Sequence, residues 1–140
     1  MTTRFLEDSC SYLRDGVPQI IDKYNSRYGA IGLQAKVGDV LRSTEDQQTE
    51  YAKGRTVPGK IVTYADGVEN LSNHQKKPLH GENCSHAVDV LVLADNGKRY
   101  VPDQRYYLAL LGLGIWVGLK SGLDWSHPDA PHLECPYAQD

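Results

Sequence analysis

The run Ala87-Val88-Asp89-Val90-Leu91-Val92-Leu93-Ala94 constrains the fold more than any other stretch of this chain. It is apolar and rich in valine, and Asn96-Gly97 follows it closely, so it reads as a buried strand entering a tight hairpin turn whose return strand opens at Tyr100-Val101. A buried strand requires a sheet and elements packed over it. One carboxylate, Asp89, stands inside this otherwise apolar run.

The remaining elements fit around such a sheet. Val17, Ile20, Ile21 and Tyr24 recur at helical spacing around Pro18, which a first turn tolerates, and Gly29 closes the segment. Residues 35–41 alternate as a short strand. Ser43 with Asp46 reads as an N-cap opening a helix that ends near Gly54, which puts Arg42 at a strand-to-helix junction where side chains commonly face a cleft. Pro58-Gly59 marks a turn before Ile61-Val62-Thr63, and residues 66–85 form a polar, irregular run of the length usually kept for function. An apolar helix pattern spans 104–119, and the tail from 124 to 140 is loop with a short extended piece that carries His132. The expected architecture is α+β, with a small central antiparallel sheet, helices packed against it and a cleft on the sheet, in one domain spanning 1–140.

Composition excludes several functions. The formal charge is −3 and the basic residues are scattered among acids, so no stripe is available to neutralise phosphates and nucleic acid is not an expected partner. The apolar stretch from 106 to 119 is broken by glycines and too short to span a bilayer, so no membrane anchor is expected. The first residues reach Glu7 and Asp8 before any signal-like apolar segment forms, and synthesis in the cytoplasm without a signal peptide is the expectation. Cys10, Cys84 and Cys135 are odd in number and show no CxxC spacing. They read as buried or incidental thiols rather than a disulfide framework or a thiolate zinc site.

A hydrolytic metal site needs about three His or carboxylate ligands with one position left open. Candidates stand in two regions: Ser72-Asn73-His74-Gln75 followed by His86-Ala87-Val88-Asp89, and Asp129-Ala130-Pro131-His132-Leu133-Glu134. Taken one at a time these residues have ordinary fates. Trp125 reads as half-buried core, with lining of the cleft as its alternative. Arg42 reads as a surface residue paired with Glu45 and Asp46, Asp129 as a turn cap before Pro131, and Asp89 as a strand residue bonded to backbone. The ordered set overturns those defaults. Leu41-Arg42-Ser43 with Gln47, the stretch Gly54-Arg55-Thr56-Val57-Pro58-Gly59, Ser72-Asn73-His74, Ala87-Val88-Asp89, and the Asp129 to Glu134 segment occur in the order seen in a family of zinc peptidases. The chain resembles that family, which includes D-alanyl-D-alanine carboxypeptidases and phage L-alanyl-D-glutamate endolysins, over residues 30 to 135.

The resemblance implies that His74, Asp89 and His132 hold Zn2+, that Asp129 is the general acid/base, and that Arg42 stabilises the oxyanion. Glu134 would orient a ligand histidine. Fourteen residues separate His74 from Asp89, more than in many members, and His80 and His86 lie inside that interval as competing ligands. Ser72, two places before His74, favours His74; His86 and Asp89 would point to opposite faces of a strand. The implied function is hydrolysis of a peptide bond in peptidoglycan stem peptides, taken to be the L-alanyl-D-glutamate bond. A monomeric, endolysin-like enzyme reaching the cell wall through a membrane lesion, of phage or prophage origin, is the corresponding expectation. Its rivals are a D-alanyl-D-alanine dipeptidase or carboxypeptidase, and a non-catalytic wall-binding or virion structural module on the same fold.

Overall fold

The computed structural model describes residues 1–139. Helix α1 (Ser11–Tyr28) turns Leu13, Gly16, Val17, Ile20 and Tyr24 inward at intervals of three and four, the spacing that gives a helix one buried stripe. It begins earlier than the sequence suggests, so Pro18 lies in its interior and not in its first turn. The ring is tolerated there because Pro18 faces solvent, where water can satisfy the Arg14 carbonyl that loses its helical partner.

Five strands form the main sheet. Strand β1 (Gln34–Val37) pairs antiparallel with β4 (Ala87–Ala94), which pairs antiparallel with β7 (His132–Glu134), and β7 in turn with β6 (Lys120–Ser121); β5 (Arg99–Tyr100) pairs the end of β4. Asp95, Asn96 and Gly97 all take positive φ in the turn between β4 and β5, a conformation that Asn and Gly enter at low cost. Val88, Val90 and Val92 are fully buried while Asp89, Leu91 and Leu93 are only partly so, which gives β4 a core face and a cleft face. The core face meets α1, Leu110 of α3 (Leu108–Trp116) and Leu133 of β7.

Helix α2 (Thr44–Ala52) is capped by Ser43, whose hydroxyl accepts from the Asp46 amide at 3.1 Å. Residues 61–63 form no strand. Thr63 instead accepts from Arg55 and Gln47 side chains. Within the run expected to be irregular, β2 (Lys77–Leu79) and β3 (Glu82–Cys84) make a hairpin, its turn formed by His80 and Gly81 at positive φ. A disulfide joins Cys10 to Cys84, and Cys135 is a buried free thiol. The expectation of three incidental thiols is therefore corrected for two of them, which the fold brings together across a sequence separation of 74. No helix among the described residues is long and apolar enough to cross a membrane.

Candidate active site

Antiparallel register sets Asp89 of β4 directly opposite His132 of β7, so the two side chains leave the sheet on one face. The Asp89 amide donates to the Asp39 carbonyl and the Val90 amide to the Pro131 carbonyl, both at 2.8 Å, which fixes the strand between the two loops that border the cleft. His74 arrives from a loop. Its amide donates to the Ser72 hydroxyl at 3.1 Å, and its carbonyl accepts from the Arg42 amide at 2.7 Å.

The three side chains converge. His74 Nε2 lies 3.2 Å and His132 Nδ1 3.7 Å from Asp89 Oδ1, and one candidate ligand atom from each residue falls within 4.8 Å of the others. Ligands about 2.0–2.2 Å from one tetrahedral ion stand roughly 3.3–3.6 Å apart, so the spacing suits a zinc-sized cation. The opposite ring nitrogens are both occupied: His74 Nδ1 is 3.0 Å from the Val40 carbonyl oxygen, and His132 Nε2 is 2.7 Å from Glu134 Oε1. A carbonyl or carboxylate partner keeps the proton on that nitrogen, which leaves the other lone pair facing the cluster. Asp89 Oδ1 is buried without a hydrogen-bond donor, an arrangement that costs stability unless a cation occupies the space it faces. Donor type, spacing and the orphaned oxygen all fit a divalent metal.

His80 and His86 lie elsewhere. His80 is exposed in the β2–β3 turn and stacks on Tyr137 with 4.3 Å between ring centroids, whereas the buried His86 ring faces Cys10 and Tyr137. The structure brings His74 to Asp89 and His132, and it does not bring these two.

Asp129 sits at the rim with a half-exposed carboxylate, its Oδ2 4.0 Å from His132 Nδ1. Its amide donates to the Gly122 carbonyl at 2.8 Å, and its own carbonyl accepts from the His132 amide at 3.2 Å. Burial and the neighbouring Asp89 carboxylate push the Asp129 carboxyl above its ordinary range, against the pull of His132, His74 and Arg42. Asp89 moves the other way: burial raises it, but the two imidazoles and Arg42 outweigh burial and hold it low. Two carboxylates with separated proton affinities thus share one cleft.

Arg42 pairs with neither Glu45 nor Asp46. Its guanidinium donates to Gln47 Oε1 at 2.8 Å and lies 3.9 Å from Asp39 Oδ2, with the side chain 16% exposed. Gln47 is fully buried and donates in turn to the Ala65 carbonyl at 2.9 Å, which fixes the arginine from behind. Sequence reasoning missed two contributors: the Val40 carbonyl that orients His74 carries no side-chain signal, and Gln47 had no stated role. Trp125 takes the cleft alternative and not the core, lying against His132 with ring centroids 4.8 Å apart.

The fold is shared with a solved structure. The chain superposes on the crystal structure of Serratia marcescens L-Ala D-Glu endopeptidase ChiX with a TM-score of 0.50 and 22% identity, covering 95% of this chain and 90% of that one. In sequence it is similar to the peptidoglycan L-alanyl-D-glutamate endopeptidase CwlK of Bacillus subtilis (strain 168), 27% identical over 128 residues, which is 84% of this chain and 70% of CwlK. No family model matches the chain. The resemblance to cell-wall peptidases read from the ordered motifs is thus met by a relative in sequence and by a solved structure in fold.

Proposed function

We propose that this chain is a metal-dependent peptidase that hydrolyses the L-alanyl-D-glutamate bond of peptidoglycan stem peptides. The observation that carries this reading is the convergence of His74 Nε2, Asp89 and His132 Nδ1 beside the Asp129 carboxylate. His74, Asp89 and His132 would hold a zinc ion, which when bound polarises the scissile carbonyl and makes a water nucleophilic near neutral pH. Asp129 takes the proton that the attacking water loses and delivers it to the departing amine; its raised proton affinity suits both halves of that task. Arg42 donates to the carbonyl oxygen as it gains charge and has no proton of its own to lose. Val40 and Glu134 keep the two imidazoles turned toward the cluster, and Trp125 walls the cleft beside His132.

The names of both comparison proteins support the L-alanyl-D-glutamate bond over the D-alanyl-D-alanine bond. Action as a monomeric phage-type lysin on the wall is the corresponding biological reading. Metal analysis of the purified chain, paired with wall lysis before and after chelation, tests the proposal. One zinc per chain, with lysis lost to chelator and restored by zinc, is the expected result; lysis unaffected by complete metal removal would overturn it.

A further inference from the structure

A second convergence of metal-binding side chains lies outside the cleft. Cys10 caps α1, Cys84 ends β3 and His86 precedes β4, yet the two sulfurs and a ring nitrogen fall within 4.8 Å of one another. His86 is fully buried, and its Nε2 lies 2.9 Å from the Lys77 carbonyl oxygen. A carbonyl only accepts, so Nε2 carries the proton and Nδ1 presents its lone pair. That nitrogen is 3.2 Å from Cys10 Sγ and 3.2 Å from the Tyr137 hydroxyl oxygen. His74 is held by the same device, one nitrogen fixed on a backbone carbonyl and the other aimed into a cluster. A disulfide by itself requires no such imidazole.

We propose that reduction of the Cys10–Cys84 disulfide opens a second metal site, in which the two thiolates and His86 Nδ1 bind a soft divalent cation of the zinc class beside the Tyr137 hydroxyl. A dithiol reductant gives two electrons and two protons to the S–S bond and itself becomes a disulfide. The metal then displaces the two thiol protons into solvent as it binds. Disulfide and metal exclude one another because each needs both sulfurs. Thiolate donors select zinc-like ions over magnesium or calcium, and no residue is shared with the His74 cluster. In either state the β2–β3 hairpin stays tied to α1. This has a reach beyond the site, because Ser85, next to Cys84, donates at 2.7 Å to the Val40 carbonyl that also orients His74.

Co2+ titration of the full chain tests the site, since only thiolate ligation gives an intense near-ultraviolet charge-transfer band and the His74 cluster contains no sulfur. A phosphine is the reductant of choice because it adds no competing thiol; it leaves as the phosphine oxide, with water supplying the oxygen and the protons. The reduced chain should develop the band to one equivalent, and the disulfide form should not. Cys135→Ser should keep it, Cys84→Ser should lose it, and His86→Ala should weaken binding by about 10²-fold, at or beyond the upper end of what loss of an outer-shell partner costs. Because such variants can fold poorly, the wild-type chain supplies a second readout. In the reduced protein Zn2+ should slow alkylation of the half-buried Cys84. Alkylation at the same rate with and without Zn2+, or Co2+ binding with no thiolate band, would overturn the proposal.

Discussion

His132 Nε2 lies 2.7 Å from Glu134 Oε1, two residues along the same strand, and both side chains are buried. Neighbours at that interval share a face of a strand, so β7 supplies a ligand candidate and the group that orients it in one step. Glu134 also lies 3.4 Å from Lys120 Nζ and 3.4 Å from Asn73 Nδ2, which keep its carboxylate in place. Glu134→Gln keeps the volume but loses the charge that raises the basicity of His132. Zinc affinity, measured by chelator competition, should fall by about 10- to 100-fold. Unchanged affinity would remove Glu134 from the site.

Asp129→Asn should retain zinc and fold while wall hydrolysis drops by about 10²-fold or more, the usual size of a general acid/base contribution. Near-normal turnover by the zinc-loaded variant would refute the assignment.

For Arg42 two readings differ in size. A surface ion pair is worth at most about 1 kcal/mol of stability, whereas loss of an oxyanion donor costs about 3–4 kcal/mol in the transition state. Arg42→Lys keeps the charge and loses the planar fork that Gln47 orients, so kcat should fall markedly with melting temperature and zinc content nearly constant. Wild-type rates in both Arg42→Lys and Arg42→Ala would make it a surface residue.

Gly122 stands where the backbone has no room. A Cβ there would run into the Asp129 carbonyl oxygen and come within 3.0 Å of the His132 Cβ. Gly122→Ala must therefore displace the segment that carries both residues. A stability loss of about 1–3 kcal/mol by denaturant titration, together with reduced activity, is the expected outcome. A fully stable and active variant would show that the loop is more tolerant than its packing implies.

Much of this site is legible in the sequence, for identifiable reasons. β4 announces itself by an apolar run interrupted only by Asp89, and the Ser43 cap by its spacing to Asp46. Pairing register is different in kind: nothing local in either strand says that Asp89 faces His132, and only the ordered motifs put the two in one site. The β2–β3 hairpin is hidden because Lys77-Pro78-Leu79 is short and interrupted by proline. The Cys10–Cys84 bond joins residues with no informative spacing, and the Val40 carbonyl is backbone, which no residue type encodes.

A pH dependence of stability follows from Glu82, which accepts from the Ser11 hydroxyl at 2.8 Å and amide at 3.0 Å and lies 3.7 Å from Arg14. The hydrogen bonds from Ser11 hold its carboxyl below the usual range against a smaller opposing effect of burial. A carboxyl depressed in the folded state stabilises fully above its unfolded pKa of about 4.3, and that contribution disappears as pH falls through the lower folded value. Wild type should therefore exceed Glu82→Gln in stability at neutral pH, with the gap narrowing below about pH 4. A gap independent of pH would contradict this.

The most direct measurement is the identity of the ends released from purified peptidoglycan by the chain loaded with zinc. Cleavage between L-alanine and D-glutamate exposes new D-glutamate amino termini and leaves L-alanine carboxyl-terminal on the glycan-linked stub. Those termini should appear with the wild-type chain and be absent with Asp129→Asn. Release of free D-alanine with no new D-glutamate termini, or no new termini at all from a fully zinc-loaded chain, would contradict the account.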